Sequence, residues 1–381
     1  MRSKRFLAIL SLIIVFSLLL AACGAQKSNT PASEGQAAQG TAQDAAKEEQ
    51  QQDGTKDQEP QKKFTIGFSN GYIGNNWRTQ MIDAAEKLAE YYKGQGILDK
   101  LIVQNAGLDV NNQIAQIRNM INSNVDLLMI DPNSETALNP VIEEAHNKGI
   151  PVIAFDQPVT SEHAINVVID QFKWGVVLAE WLCDELNGEG DIVIVSGVAG
   201  SPANVNRLRG MEAVLERNPG INVLAEVNGN WDQANAQQVM SNLLASYPKL
   251  DGVLTQDGMA LGVTKAFLAA DRELPKITGE TMMGFMRQWK ELKDGKGFSS
   301  IGQNNPPAIS ATALGIAVRI LQGKEFKDGV LDGNNFYYPV KDIITNENFD
   351  EYFEKHKDKP DAYFIDEHLT EEELDALFKE Y

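Results

Sequence analysis

Cysteine is nearly missing from this chain: among 381 residues there are only Cys23 and Cys183. Beyond residue 23, Cys183 stands alone inside a helical run, so no internal disulfide can form, and the residue reads as a small buried hydrophobe. Histidine is scarce too, with His146, His163, His356 and His368, and no His or Cys pair has metal-ligand spacing. Basic residues are outnumbered 34 to 53, leaving a formal charge of −19 that repels phosphate backbones and excludes nucleic acid as a partner. No G-x-x-x-x-G-K-[ST] loop occurs, and no G-x-G-x-x-G follows a strand. No apolar run after residue 20 is long enough for a transmembrane helix. One catalytic pattern does occur, Gly67-Phe68-Ser69-Asn70-Gly71, matching G-x-S-x-G. It falls on the first strand of the fold rather than in mid-domain, and of the four histidines only His163 lies in a loop after a core strand. The sequence therefore indicates no enzyme, cofactor or metal.

What is present begins with a leader. Arg2, Lys4 and Arg5 precede an apolar run over 6–20, shorter than a membrane span and flanked like a signal peptide. It ends in Leu20-Ala21-Ala22-Cys23-Gly24, which resembles a bacterial lipobox, so 1–22 is expected to be removed and Cys23 to carry a lipid. Losing the three leader cations takes the formal charge from −19 to −22. From Cys23 to Lys63 large apolar residues are almost absent, and such a segment cannot offset its ordering entropy. It reads as a disordered tether with a reach on the order of 35 Å.

The stretch 64–92 organises the rest. Phe64-Thr65-Ile66-Gly67-Phe68 is a short β-forming run that breaks at Asn70-Gly71 and Gly74-Asn75. Met81, Ile82, Ala85, Leu88, Ala89 and Tyr92 then recur at the spacing of one helix face, with Arg78, Asp83, Glu86, Lys87 and Glu90 assigned to the others. This strand–turn–helix unit repeats. Strands are expected at 101–103, 127–130, 152–155 and 165–169, with helices over 113–121 and 140–148 between them. A second series has helices over 174–186, 205–217, 234–246 and 260–270 and strands at 192–196, 223–225 and 252–255. Chains of roughly 250–300 residues or more seldom keep one core, so two similar α/β lobes are expected. The acidic ending, 347–381, is expected to pack on the second lobe, with Thr370 and Glu373 spaced as a capping box.

In open parallel sheets the ligand crevice lies at the carboxyl ends of the strands. Polar and aromatic residues collect there in both series: Trp77 after the first strand, Asp156 and Gln157 after 152–155, and Arg207 and Arg209 in the helix after 192–196. Trp231 in Asn230-Trp231-Asp232, Asp257 after 252–255, and Gln303 after Ser300-Ile301-Gly302 complete the set. Indole faces cover the C–H face of a sugar ring, and Asp and Arg bind hydroxyls through charge-assisted hydrogen bonds.

From Phe64 to about Val340 the order and spacing of these residues resemble the ribose-binding family of type I periplasmic substrate-binding proteins of ABC transporters. With the lipobox, the chain is similar to the tethered form found in Gram-positive bacteria. The match is carried by the 69–77 loop, Ile153-Ala154-Phe155-Asp156, Gly200-Ser201 with Arg207-Leu208-Arg209-Gly210, Asn230-Trp231-Asp232, the run from Gln256 to Gly262, and Ser300-Ile301-Gly302-Gln303. The resemblance implies two Rossmann-like lobes, 64–168 plus 304–338 and 169–303 plus 339–381. A hinge of three crossings is implied near 168–170, 303–304 and 338–339, closing on ligand. It also implies ligand contacts at Asn76, Trp77, Asp156, Arg207, Trp231, Asp257 and Gln303, with Trp77 and Trp231 sandwiching a ring. Two positions depart from the pattern. Gln157 stands where the family often has Arg, removing a cationic donor, and Gly279-Glu280-Thr281 replaces a Gly-Phe-Asp turn, making Glu280 a further candidate. The implied function is that of a monomeric, lipid-anchored extracytoplasmic protein delivering a sugar or polyol to an ABC permease. The alternative is a sensory lipoprotein presenting its ligand to a receptor or histidine kinase.

Overall fold

The structure is a computed structural model that describes residues 62–303, 305–340 and 343–380. The leader, Cys23, the tether up to residue 61 and hinge residue Asn304 lie outside the described residues.

Two six-stranded sheets share one strand order. The first contains β1 (Phe64–Asn70), β2 (Leu98–Asn105), β3 (Leu127–Asp131), β4 (Val152–Asp156), β5 (Ala164–Val168) and, late in the chain, β11 (Asn335–Tyr337). They lie in the order β11-β5-β4-β3-β1-β2. The second contains β6 (Glu189–Ser196), β7 (Gly220–Asn228), β8 (Gly252–Thr255), β9 (Lys276–Gly279), β10 (Ser300–Gln303) and β12 (Ile343–Thr345), in the order β12-β10-β9-β8-β6-β7. All pairs are parallel except β10 with β12. The central strands β3, β4 and β8 are buried along their whole length, as expected of parallel strands covered on both faces.

Helices fill the crossovers, and short polar side chains start several of them. Asn75 caps α1 (Asn76–Gly94), Asp109 caps α2 (Val110–Asn122), Asp170 caps α4 (Gln171–Glu185) and Asp232 caps α6 (Gln233–Ser246). Pro140 lies in the first turn of α3 (Asn139–Asn147), and Pro202 opens α5 (Pro202–Leu215). The second lobe also contains α7 (Ala260–Ala269) and α8 (Met283–Lys296), the latter not anticipated from the sequence. Crossing back, α9 (Ile309–Leu321) packs on α1 and on the strands of the first sheet.

Ser69 lies within β1, fully buried, so the G-x-S-x-G match is strand and not a nucleophile elbow. The acidic ending, expected wholly with the second lobe, divides between the two. Its first helix, α10 (Phe349–His356), lies beside β12, and Phe349 packs on Trp289 of α8 with ring centroids 4.8 Å apart. Its last, α11 (Glu371–Ala376), carries the expected Thr370–Glu373 capping box but packs on α9 of the first lobe. The reason is a buried cation: Arg319 of α9 pairs with Asp375 at 3.0 Å and bonds the Glu371 carbonyl at 3.0 Å, while Leu374 covers Gly315.

Candidate functional site

The carboxyl ends of both sheets face a cavity of about 190 Å³. Seven sequence-selected residues line it: Asn76, Trp77, Asp156, Gln157, Arg207, Trp231 and Asp257. Each is put there by local structure. Asn76 and Trp77 open α1, and the Trp77 indole donates to the Asn305 carbonyl at 2.6 Å. Asp156 ends β4 with φ 65°, a left-handed conformation that costs a residue with a Cβ about 1–2 kcal/mol and turns the side chain off the strand. Trp231 is similarly held at φ 54°, and its indole donates to Gln256 Oε1 at 2.9 Å. A Cβ at Gly197 would sit 2.2 Å from the Trp231 ring, so only glycine lets the indole lie flat against that loop.

Arg207 is almost fully buried and fixed on three sides. Its Nε donates to Gln171 at 2.7 Å, Nη1 to Asp257 at 2.5 Å, and the guanidinium lies 3.9 Å from the Trp174 ring centroid. Burial raises the Asp257 pKa, and the Arg207 charge pulls it back down. Asp257 Oδ1 and Asn305 Oδ1, both on cavity-lining residues, are buried acceptors without a protein donor among the described residues. The lobes touch where Ser201 donates to Gln157 at 3.3 Å.

Two candidates do not line the cavity. Glu280 is fully buried beneath α7, its Oε2 accepting the Ala260 amide at 3.0 Å, and burial pushes its pKa up to about 8. Gln303 ends β10, buried but outside the lining set.

The fold also brings in residues that no strand-end pattern singles out. Arg78, expected on the polar side of its helix, is 4% exposed and lines the cavity. It bonds Asp131, approaches Asp156 at 3.6 Å and stacks over Tyr72 at 4.7 Å. A guanidinium thus stands beside Asp156 despite Gln157, supplied from α1. The signal was available: Arg78 lies three residues before Met81 and seven before Ala85, on the buried stripe. Tyr72, Asn305, Met282 and Phe364 also line the cavity. Phe364 could not be found by strand-end reasoning, because it reaches the cleft from the carboxyl-terminal segment.

Two α/β lobes enclosing a polar and aromatic cleft between the ends of their strands define the class of a bilobal protein with an interlobe cleft. Residues 66–325 match the model of the periplasmic binding protein domain, and the chain belongs to that family. The xylitol-binding protein of Mycolicibacterium smegmatis is 32% identical over 248 residues, covering 64% of this chain and 70% of that one. The ribose import binding protein of Bacillus subtilis is 27% identical over 266 residues, covering 69% and 84%. Among solved structures, an ABC transporter solute binding protein from Thermobispora bispora superposes with TM-score 0.73 and 28% identity, over 82% of this chain and 94% of that one. One from Bacillus halodurans with bound myo-inositol gives 0.67 and 25%, over 77% and 98%. The fold is the type I periplasmic binding protein fold. Among the described residues, no helix is long and apolar enough to cross a membrane.

Proposed function

We propose that the protein captures a sugar or polyol in the cleft and hands it to an ABC transporter permease, as an extracytoplasmic protein anchored through Cys23. The observation that carries the reading is the pairing of aromatic walls with unmatched acceptors. Trp77 and Trp231 offer apolar faces, while Asp257 Oδ1 and Asn305 Oδ1 are buried without donors, an arrangement that hydroxyl hydrogens on an apolar carbon frame would complete. Arg78 and Arg207, each engaged with a carboxylate, have further N–H groups to offer hydroxyl oxygens. Relatives and neighbours named for xylitol, ribose and myo-inositol support the same class.

The test is thermal shift and tryptophan fluorescence of the 64–381 segment against pentoses, hexoses, pentitols and inositols. A ligand at about a hundred times its Kd should add about 2.7 kcal/mol of stability and raise the Tm accordingly. Trp231→Ala should weaken that ligand by roughly tenfold or more while leaving the ligand-free protein folded. A panel with no saturable shift refutes the polyol reading, and unchanged affinity in Trp231→Ala removes that ring from the site.

A further inference from the structure

Beyond the three crossings after β5, β10 and β11, the chain passes between the lobes a fourth time, between α10 and α11. This segment lies past the residues matched by the family model. On the second lobe its main chain is tied to the start of α8: Gly284 donates to the Asp361 carbonyl at 2.8 Å and Met283 to Tyr363 at 2.8 Å. Ile365 donates to the Thr281 carbonyl at 3.2 Å, and an antiparallel bridge pairs Met282 with Phe364.

The first lobe holds the same stretch. Gln80 of α1 clamps the Phe364 main chain from both sides, Nε2 donating to its carbonyl at 2.8 Å and Oε1 accepting its amide at 2.9 Å. Gln80 Nε2 also lies 3.0 Å from Asp366 Oδ1, and Asp366 Oδ2 accepts the Ala308 amide at 2.9 Å. Leu369 donates to Thr312 Oγ1 at 3.1 Å. Between these anchors the Phe364 ring is 3% exposed and lines the ligand cavity.

We propose that residues 361–369 are a strap that holds the lobes closed and presents Phe364 as the cleft wall that limits ligand size. Phe364 is held by Gln80 of the first lobe while its immediate neighbours Tyr363 and Ile365 are held by Met283 and Thr281 of the second, so a swing of one lobe away from the other must break the Gln80 clamp or the pairing with 281–284. Either break leaves main-chain groups to find new partners and uncovers an aromatic ring. The limit on ligand size rests on the reading of the cleft as a polyol site; the clamp does not.

Distances between spin labels at Lys87→Cys in the first lobe and Glu216→Cys in the second, in a Cys23→Ser background with Cys183 buried, test the clamp without ligand. Gln80→Ala should lengthen and broaden that distance, and should weaken whichever of xylitol, D-ribose and myo-inositol binds by roughly tenfold. Phe364→Ala should move the affinity ratio toward myo-inositol, the bulkiest of the three probes, by roughly tenfold, with Phe364→Leu as the measurement should the alanine variant not fold. A segment that merely packs would lower the Tm in both variants and leave the distance and the ratio unmoved. An unchanged distance in Gln80→Ala overturns the strap, and an unchanged ratio at residue 364 overturns the wall. If no pentose, hexose, pentitol or inositol binds the wild type, the polyol reading and the wall that rests on it fall, and the distance alone decides the strap.

Discussion

Burial without a counter-charge makes Glu280 a proton-binding residue at neutral pH. Its pKa is pushed up to about 8, chiefly by desolvation, and the nearby Asp257 charge raises it further, while the Ala260 and Leu261 amides only partly offset this. The unfolded chain holds that proton only below about pH 4.5, the ordinary range of a glutamate. Between about 4.5 and 8 the folded state therefore binds more protons than the unfolded one, and stability falls as pH rises through that window. Ligand-free wild type should accordingly lose Tm from pH 5 to pH 8. Glu280→Gln, which keeps an acceptor for the Ala260 amide, should flatten that loss and melt higher than wild type at pH 8.5. Identical Tm profiles for the two proteins would show that the carboxyl is not held neutral. The same scale explains Arg78. A guanidinium on a helix's apolar stripe is tolerated because Asp131 and Asp156 neutralise it and Tyr72 covers it, a buried arrangement that is costly to break.

At the scale of elements, the site depends on how closely α4 and α5 cross. A Cβ on Gly175 of α4 would lie 2.0 Å from the Arg207 carbonyl, and one on Gly210 of α5 would lie 2.1 Å from the Phe172 carbonyl. The two glycines let the backbones touch, which brings Gln171 and Trp174 of α4 against the Arg207 side chain. Gly175→Ala should therefore push the helices apart, cost about 1–3 kcal/mol by overpacking, and weaken ligand through a displaced Arg207. Denaturant titration and ligand affinity measured side by side check this: a loss of stability with full affinity would mean that the crossing does not position the arginine. Gly175 and Gly210 are ordinary letters in the sequence. Nothing in their spacing tells that two helices meet there, since that follows from how both pack on the second sheet.

At the scale of the molecule, the chain is acidic, and the lipid expected on Cys23 is what would keep it at a membrane whose surface is itself negative. Cys23→Ser should release the mature protein into the soluble fraction, as read by fractionation and blotting; full retention in the membrane fraction would refute lipid anchoring. The two lobes, made of the same strand order, are joined by crossings after β5, β10 and β11, and the chain crosses a fourth time between α10 and α11.

The sequence by itself determined the elements. Short apolar β-forming runs and period-3.6 patterns located most strands and helices, though not α8, β9 or β12, the Thr370–Glu373 capping box marked the last helix, and Asp156, Arg207, Trp231 and Asp257 were legible because parallel sheets put ligands at strand ends. Only the tertiary structure decided which of the polar residues meet. Glu280 turns under α7 because a helix amino terminus offers it an amide, although its position after β9 has the same strand-end character as Asp156. Arg78 enters the site because β3 and β4 place Asp131 and Asp156 above its helix, and Phe364 enters because α11 finds its buried cation, Arg319, on the first lobe and draws the chain back across the cleft. Periodicity is a local property, set by a few neighbouring residues, whereas these contacts join residues far apart in the chain and exist only once both sheets have packed.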